Sequence, residues 1–129
     1  MKKRLVLTLP FTTTALTSTP ALCTDRGDLT VSMSPDDNGV KRSTILRFVK
    51  VRAHRHRTES LCTSWHVRDV YDKVCEIVGS DWRVELKSDA APEWRDKWTM
   101  CHFMIYFDSF GCLECIAESV TLNETGPSS

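Results

Sequence analysis

The sequence predicts a small α+β domain in which one amphipathic helix packs on a mainly antiparallel sheet, in the order β-α-β-β-β. Three patterns in the 129 residues carry that expectation. Residues 64–79 repeat apolar side chains at intervals of three and four, residues 81–87 alternate, and residues 101–117 form two alternating runs joined by D-S-F-G. A content of 41% hydrophobic and 26% charged residues fits a globular chain and excludes a wholly disordered one. No apolar run approaches the roughly 18 residues needed to span a bilayer, so no transmembrane segment is expected.

Taken in order, residues 1–40 are expected to be a disordered leader. The start, M-K-K-R-L-V-L-T-L-P, has the basic opening and short apolar run of a secretory signal, with small residues near Ala21 to Cys23. Pro10 interrupts the run and threonines dilute the rest, which favours the cytoplasm over export and leaves Met33 as an alternative start. Residues 24–43, rich in Ser, Asp, Gly, Arg and Thr, read as a linker. The domain then runs over 41–123, and 124–129 reads as a disordered tail.

The first strand is T-I-L-R-F-V-K-V-R, residues 44–52, where β-branched residues favour strand over helix. The helix is placed at 64–79: Val67, Val70, Tyr71, Val74, Ile77 and Val78 make one stripe, Ser64 supplies a cap and Gly79 a left-handed stop. A second strand is read at Asp81–Lys87, with Trp82, Val84 and Leu86 inward. Residues 88–94 read as loop.

The last two strands form a hairpin. Asp108 and Gly111 fit the first and fourth positions of a type I turn followed by a bulge, which sets Phe107 opposite Leu113 and Ile105 opposite Cys115. One face is then Cys101, Phe103, Ile105, Phe107, Leu113, Cys115 and Ala117, and the helix stripe should lie on it. The other, mixed face pairs His102 with Glu118 and Tyr106 with Glu114. Cys112 and Cys115 lie three apart on an extended strand, so they point to opposite faces and cannot hold one metal ion or form a redox pair. Cys62 and His66 lack a second closely spaced pair to complete a zinc site. No cofactor and no metal is expected.

Function is less legible. The net charge of zero divides into +7 over residues 1–58 and −7 over residues 59–129. The preferred reading is a non-enzymatic domain that binds another protein, one of basic character, through the mixed face, with Trp98, Met100, Met104, Tyr106 and Ile116 as the candidate surface. The first rival is nucleic-acid or phosphate binding through residues 41–57, with Lys50, Arg52, Arg55 and Arg57 as the anion-binding candidates. The acidic remainder of the chain makes nucleic acid the weaker choice. The second rival is a small hydrolase-like enzyme using His102 and Glu118. N-E-T at 123–125 matches a glycosylation acceptor, a pattern too common to count by itself.

Overall fold

The structure is a computed structural model and describes residues 2–37, 40–41 and 43–125. Along the chain come β1 (Lys2–Thr8), β2 (Ala21–Asp25), β3 (Asp28–Met33), β4 (Asp36–Asp37), β5 (Val40–Lys41), β6 (Ser43–Val49) and β7 (Ala53–Arg57). There follow α1 (Ser64–Val67), β8 (Lys73–Val78), α2 (Asp81–Asp89), α3 (Pro92–Arg95), β9 (Cys101–Phe107), β10 (Gly111–Ala117) and β11 (Ser119–Thr125). The domain is mainly sheet with some helix, roughly α+β. A five-stranded antiparallel sheet has the order β1-β8-β9-β10-β7, and a four-stranded antiparallel sheet the order β11-β6-β3-β2. β4 and β5 pair as a small ribbon.

The principal core lies where the two sheets meet. Leu29, Val31 and Met33 of β3 and Leu46 and Phe48 of β6 pack with Phe103, Ile105, Phe107, Leu113, Cys115 and Ala117 of the hairpin. Burying a side chain of the Leu, Ile or Phe type contributes about 1.5–3 kcal/mol relative to leaving it exposed, so this layer supplies most of the driving force. The expected hairpin faces are all present, but the register differs by two residues. Phe107 lies opposite Gly111, Ile105 opposite Leu113 and Phe103 opposite Cys115. The loop closes early because the Phe110 amide donates to the Phe107 carbonyl at 3.2 Å and Ser109 takes a positive φ of 61°. A shift of two preserves the alternation, which is why the faces survive. Gly111 has φ +113°, and a Cβ there would stand 2.1 Å from the Arg57 carbonyl oxygen, so its bare backbone is what lets β7 close against the turn.

Four expectations are corrected. Residues 64–79 are not one helix: α1 ends at Val67, and the Val- and Ile-rich remainder becomes β8. Asp69 (φ 65°) and Asp72 (φ 59°) adopt the left-handed conformation that Asp tolerates, which stops a helix. Residues 81–87 are not a strand but α2, begun by Ser80, whose side chain accepts from the Arg83 amide at 3.1 Å. The order β-α-β-β-β is therefore not the order observed. The helices also take the opposite side of the hairpin from the one expected, because the second sheet already covers Phe103, Ile105 and Phe107.

The fourth correction concerns the expected leader. β1 is an edge strand on β8, and β3 is an inner strand of the second sheet whose Leu29, Val31 and Met33 are among the most buried side chains. The strand alternates T-V-S-M in the period of two, with polar Thr30 and Ser32 between. Near Val6 the register of β1 slips, which turns Leu7 towards the principal core. At the other end, Glu124 and Thr125 belong to β11, and residues 126–129 of the expected tail lie outside the described residues, as does Gly39 of the expected linker. No helix among the described residues is long and apolar enough to cross a membrane.

Candidate functional site

The side of the five-stranded sheet away from the second sheet has its own smaller core. Val70, Cys75, Ile77, Met104, Tyr106 and Cys112 form it, with Cys62, Trp65 and Val67 packed against it. Within this apolar surround runs a chain of polar side chains, one from each successive element. Arg55 on β7 lies directly opposite Glu114 on β10 and forks it, with Nε to Oε2 at 2.9 Å and Nη2 to Oε1 at 3.1 Å. Glu114 Oε1 also meets His102 Nε2 of β9 at 2.7 Å. His102 Nδ1 meets the hydroxyl of Ser80, just past β8, at 2.6 Å.

Register explains the pairing. His102 faces Ile116 directly and Glu114 diagonally, and diagonal neighbours remain within reach of long side chains. The expected partner, Glu118, points elsewhere and pairs with Lys50 at 3.3 Å. Tyr106 likewise lies opposite Cys112 rather than Glu114. Burial raises the Glu114 pKa, but the bonds from His102 and Arg55 and the Arg55 charge outweigh it and hold the carboxyl at about 2. Glu114 is therefore an ionised acceptor, and in the neutral His102 ring Nε2 carries the hydrogen and donates to it. Nδ1 is then left to accept from the Ser80 hydroxyl, while the Arg83 amide donates to Ser80 Oγ at 3.1 Å.

This chain forms the floor of a cleft of about 290 Å³ between α1 and the start of α2. Ser80, His102, Glu114 and Ile77 are its buried base, Trp65, His66 and Trp82 are half-buried walls, and Arg55, Asp81 and Glu85 are exposed at its mouth. The Trp82 ring meets His102 edge-on at 5.2 Å, and the Arg55 guanidinium lies 4.0 Å from the Trp82 ring centre. Across the cleft the Lys3 ammonium sits 4.0 Å from the Trp65 ring centre and donates to the Trp65 carbonyl. His66 Nδ1 is fixed by the Thr63 amide at 3.0 Å, and burial lowers the His66 pKa, with the Arg57 charge acting in the same sense. Asp81 and Glu85, four residues apart on α2, make no hydrogen bond or ion pair among the described residues.

The sequence-predicted site residues fall as follows. Met100, Met104, Tyr106 and Ile116 are buried, so the proposed partner face is covered by α1, α2 and their connections, and of that set only Trp98 reaches solvent. Trp98 stacks on Trp94 with ring centres 6.1 Å apart and receives the Arg52 guanidinium at 4.0 Å. The anion-binding candidates each have an internal partner: Lys50 with Glu118, Arg52 with Trp98, Arg55 with Glu114, and Arg57 with the Leu61 carbonyl at 3.3 Å. Cys112 and Cys115 do point to opposite faces, one into each core. Burial pushes the Cys112 thiol up to about 12 and raises Cys115 as well, so neither offers a thiolate near neutral pH.

Sequence reasoning misses Ser80, Asp81, Trp82 and Glu85 because the alternation of 81–87 predicts a strand where α2 stands, and it misses Trp65 because that residue lies off the apolar stripe of the expected helix. The signal was present in G-S-D-W-R, a strand stop, a capping serine and a first-turn acid in succession. No family model matches the chain, and neither the curated proteins nor the solved structures compared with it return a match.

Proposed function

We propose that the chain is an interaction domain whose Trp65–Trp82 cleft receives a basic side chain of a protein partner. The observation that carries this reading is a contrast inside the cleft. Arg55 at the mouth is paired with Glu114 on the floor, whereas Asp81 and Glu85 beside it are unpaired among the described residues. A cation entering there meets two carboxylates, each a favourable partner for Lys or Arg, beside tryptophan rings that already carry Lys3 and Arg55. The −7 balance of residues 59–129 extends the same preference around the cleft.

The test is a titration of the protein with a Lys/Arg-rich peptide and with its Glu-substituted counterpart, read by tryptophan fluorescence. The basic peptide should bind and the acidic one should not. The pair Asp81→Asn with Glu85→Gln should weaken binding by about 1–2 kcal/mol, the sum expected of two exposed charge contacts. Removing Lys50, Arg52 and Arg57 together should change it little. Salt-sensitive binding of a generic DNA duplex that is lost with those three basic residues, and indifferent to Asp81 and Glu85, would replace this reading with the nucleic-acid one.

A further inference from the structure

We infer that Ser80 is an activated nucleophile and that the cleft carries a hydrolytic activity towards small uncharged or cationic carboxylic esters. The inference uses the same cleft as the interaction reading but different residues. Binding rests on Asp81 and Glu85, and hydrolysis on Ser80, His102 and Glu114, so the two can fail separately.

A serine hydroxyl becomes nucleophilic when a base takes its proton as it attacks and a third group orients that base. The three parts are in place here. Ser80 Oγ is 2.6 Å from His102 Nδ1, and His102 Nε2 is 2.7 Å from Glu114 Oε1. The ring is turned over relative to the familiar serine-hydrolase arrangement, in which the hydroxyl meets Nε2 and the carboxylate Nδ1. Proton transfer requires only that hydroxyl and carboxylate occupy opposite nitrogens of one imidazole, which they do. The Arg83 amide fills one acceptor direction on Oγ, so the hydroxyl hydrogen is directed at Nδ1. Arg55 forks Glu114, which stays an anion and can stabilise the imidazolium that forms.

Placement adds a second, independent argument. Ser80 follows Gly79, whose φ of +76° turns the chain sharply out of β8 and into α2. A strand, a tight turn bearing the nucleophile and then a helix is the local layout that presents a serine at the end of a sheet. Ser80 is 1% exposed and lines the cleft base, so a substrate, and the water of the second step, reach it through the cleft. The volume of about 290 Å³ and the walls Trp65 and Trp82 suit a short apolar acyl group, and Asp81 and Glu85 disfavour an anionic one.

The step balances without a cofactor. Oγ attacks the ester carbonyl carbon, and its proton passes to Nδ1. The carbon–oxygen bond to the alcohol breaks, and that alcohol leaves with the proton from Nδ1. Water, deprotonated by the same nitrogen, then attacks the acyl-serine, releasing the carboxylic acid and restoring the hydroxyl.

The experiment treats the full chain with a fluorophosphonate probe, maps the adduct by peptide mass spectrometry, and in parallel follows hydrolysis of p-nitrophenyl butyrate. The inference expects one adduct, on Ser80, and turnover above the buffer rate. Glu114→Gln should lower the labelling rate about tenfold or more, as loss of the orienting carboxylate does in such relays. Thr121→Ala, on β11 of the second sheet and outside the cleft, should retain the labelling. No adduct on Ser80 under conditions that label a control serine hydrolase, or an adduct elsewhere, would overturn the inference. Because the mapping is done on the unaltered chain, the result does not depend on whether Ser80→Ala, which also loses the cap of α2, still folds.

Discussion

On one face of the β9–β10 hairpin, Phe103, Ile105, Phe107, Leu113, Cys115 and Ala117 join an apolar cluster with the second sheet. On the other, His102 and Glu114 sit buried between Met104, Tyr106, Cys112 and Ile116, beside α1 and the start of α2. The same two strands make both faces, since alternate residues point to opposite sides. The apolar face needs only shape and volume from its cover. The polar face needs matched donors and acceptors, and it takes them from Ser80 and Arg55, which lie far away in sequence. A buried polar chain of this kind contributes little net stability compared with an apolar filling, because desolvation offsets most of the attraction. The apolar face is thus the one that holds the domain together, and the polar face the one on which the proposed function rests.

The largest effect should come from the turn that serves both faces. Gly111→Val meets the Arg57 carbonyl oxygen at 2.1 Å and the Glu59 amide nitrogen at 2.9 Å, with φ at +113°. The cost should be about 4 kcal/mol or more, seen as loss of the cooperative urea transition or a large fall in its midpoint. An unchanged midpoint would remove both the turn and the register from this account.

The comparison sharpens with one truncation on each side. Phe48→Ala, in the principal core, should cost about 4 kcal/mol through lost burial and the cavity left behind. Glu114→Gln should cost about 2 kcal/mol, because the amide can still accept from His102 but no longer neutralises Arg55. Urea midpoints of the two variants check the ranking. A costlier Glu114→Gln would mean that the polar face is the main source of stability.

Acid offers a milder perturbation of the polar face alone. The Glu114 pKa in the folded chain, about 2, lies below its ordinary value of 4.5. Its contribution is therefore complete above about pH 4.5 and is lost as pH falls from there through about 2. Urea midpoints between pH 6 and pH 2.5 should fall more steeply for the native chain than for Glu114→Gln. Equal slopes would place the acid sensitivity elsewhere.

The apolar face was legible in the sequence and most of the polar face was not. Alternation alone sorts Phe103, Ile105, Phe107, Leu113, Cys115 and Ala117 onto one side, and even a two-residue error in register left them there. The partner of His102 is decided by that register, so Glu118 was expected where Glu114 stands. The larger failure was an exchange of element types. Val70, Val74, Ile77 and Val78 fit a helical stripe by spacing, yet β-branched residues bounded by Asp69, Asp72 and Gly79 build a strand. Trp82, Val84 and Leu86 fit a strand by alternation, yet Ser80 caps a helix of Glu, Leu and Lys, and that helix leaves Val84 at 56% exposure. β3 was overlooked because its four-residue alternation was read as part of a Ser- and Asp-rich linker.

The four tryptophans give the most direct test of which face does the work. Trp65 and Trp82 wall the cleft, while Trp94 and Trp98 stack on each other outside it. Each indole N–H gives one peak in a nitrogen-15 correlation spectrum, and variants replacing one tryptophan at a time assign the four. During titration with the Lys/Arg-rich peptide, the Trp65 and Trp82 peaks should move together and saturably while Trp94 and Trp98 stay in place. Movement of Trp94 and Trp98 with the cleft pair unmoved would contradict the account and return the binding surface to the region of Trp98.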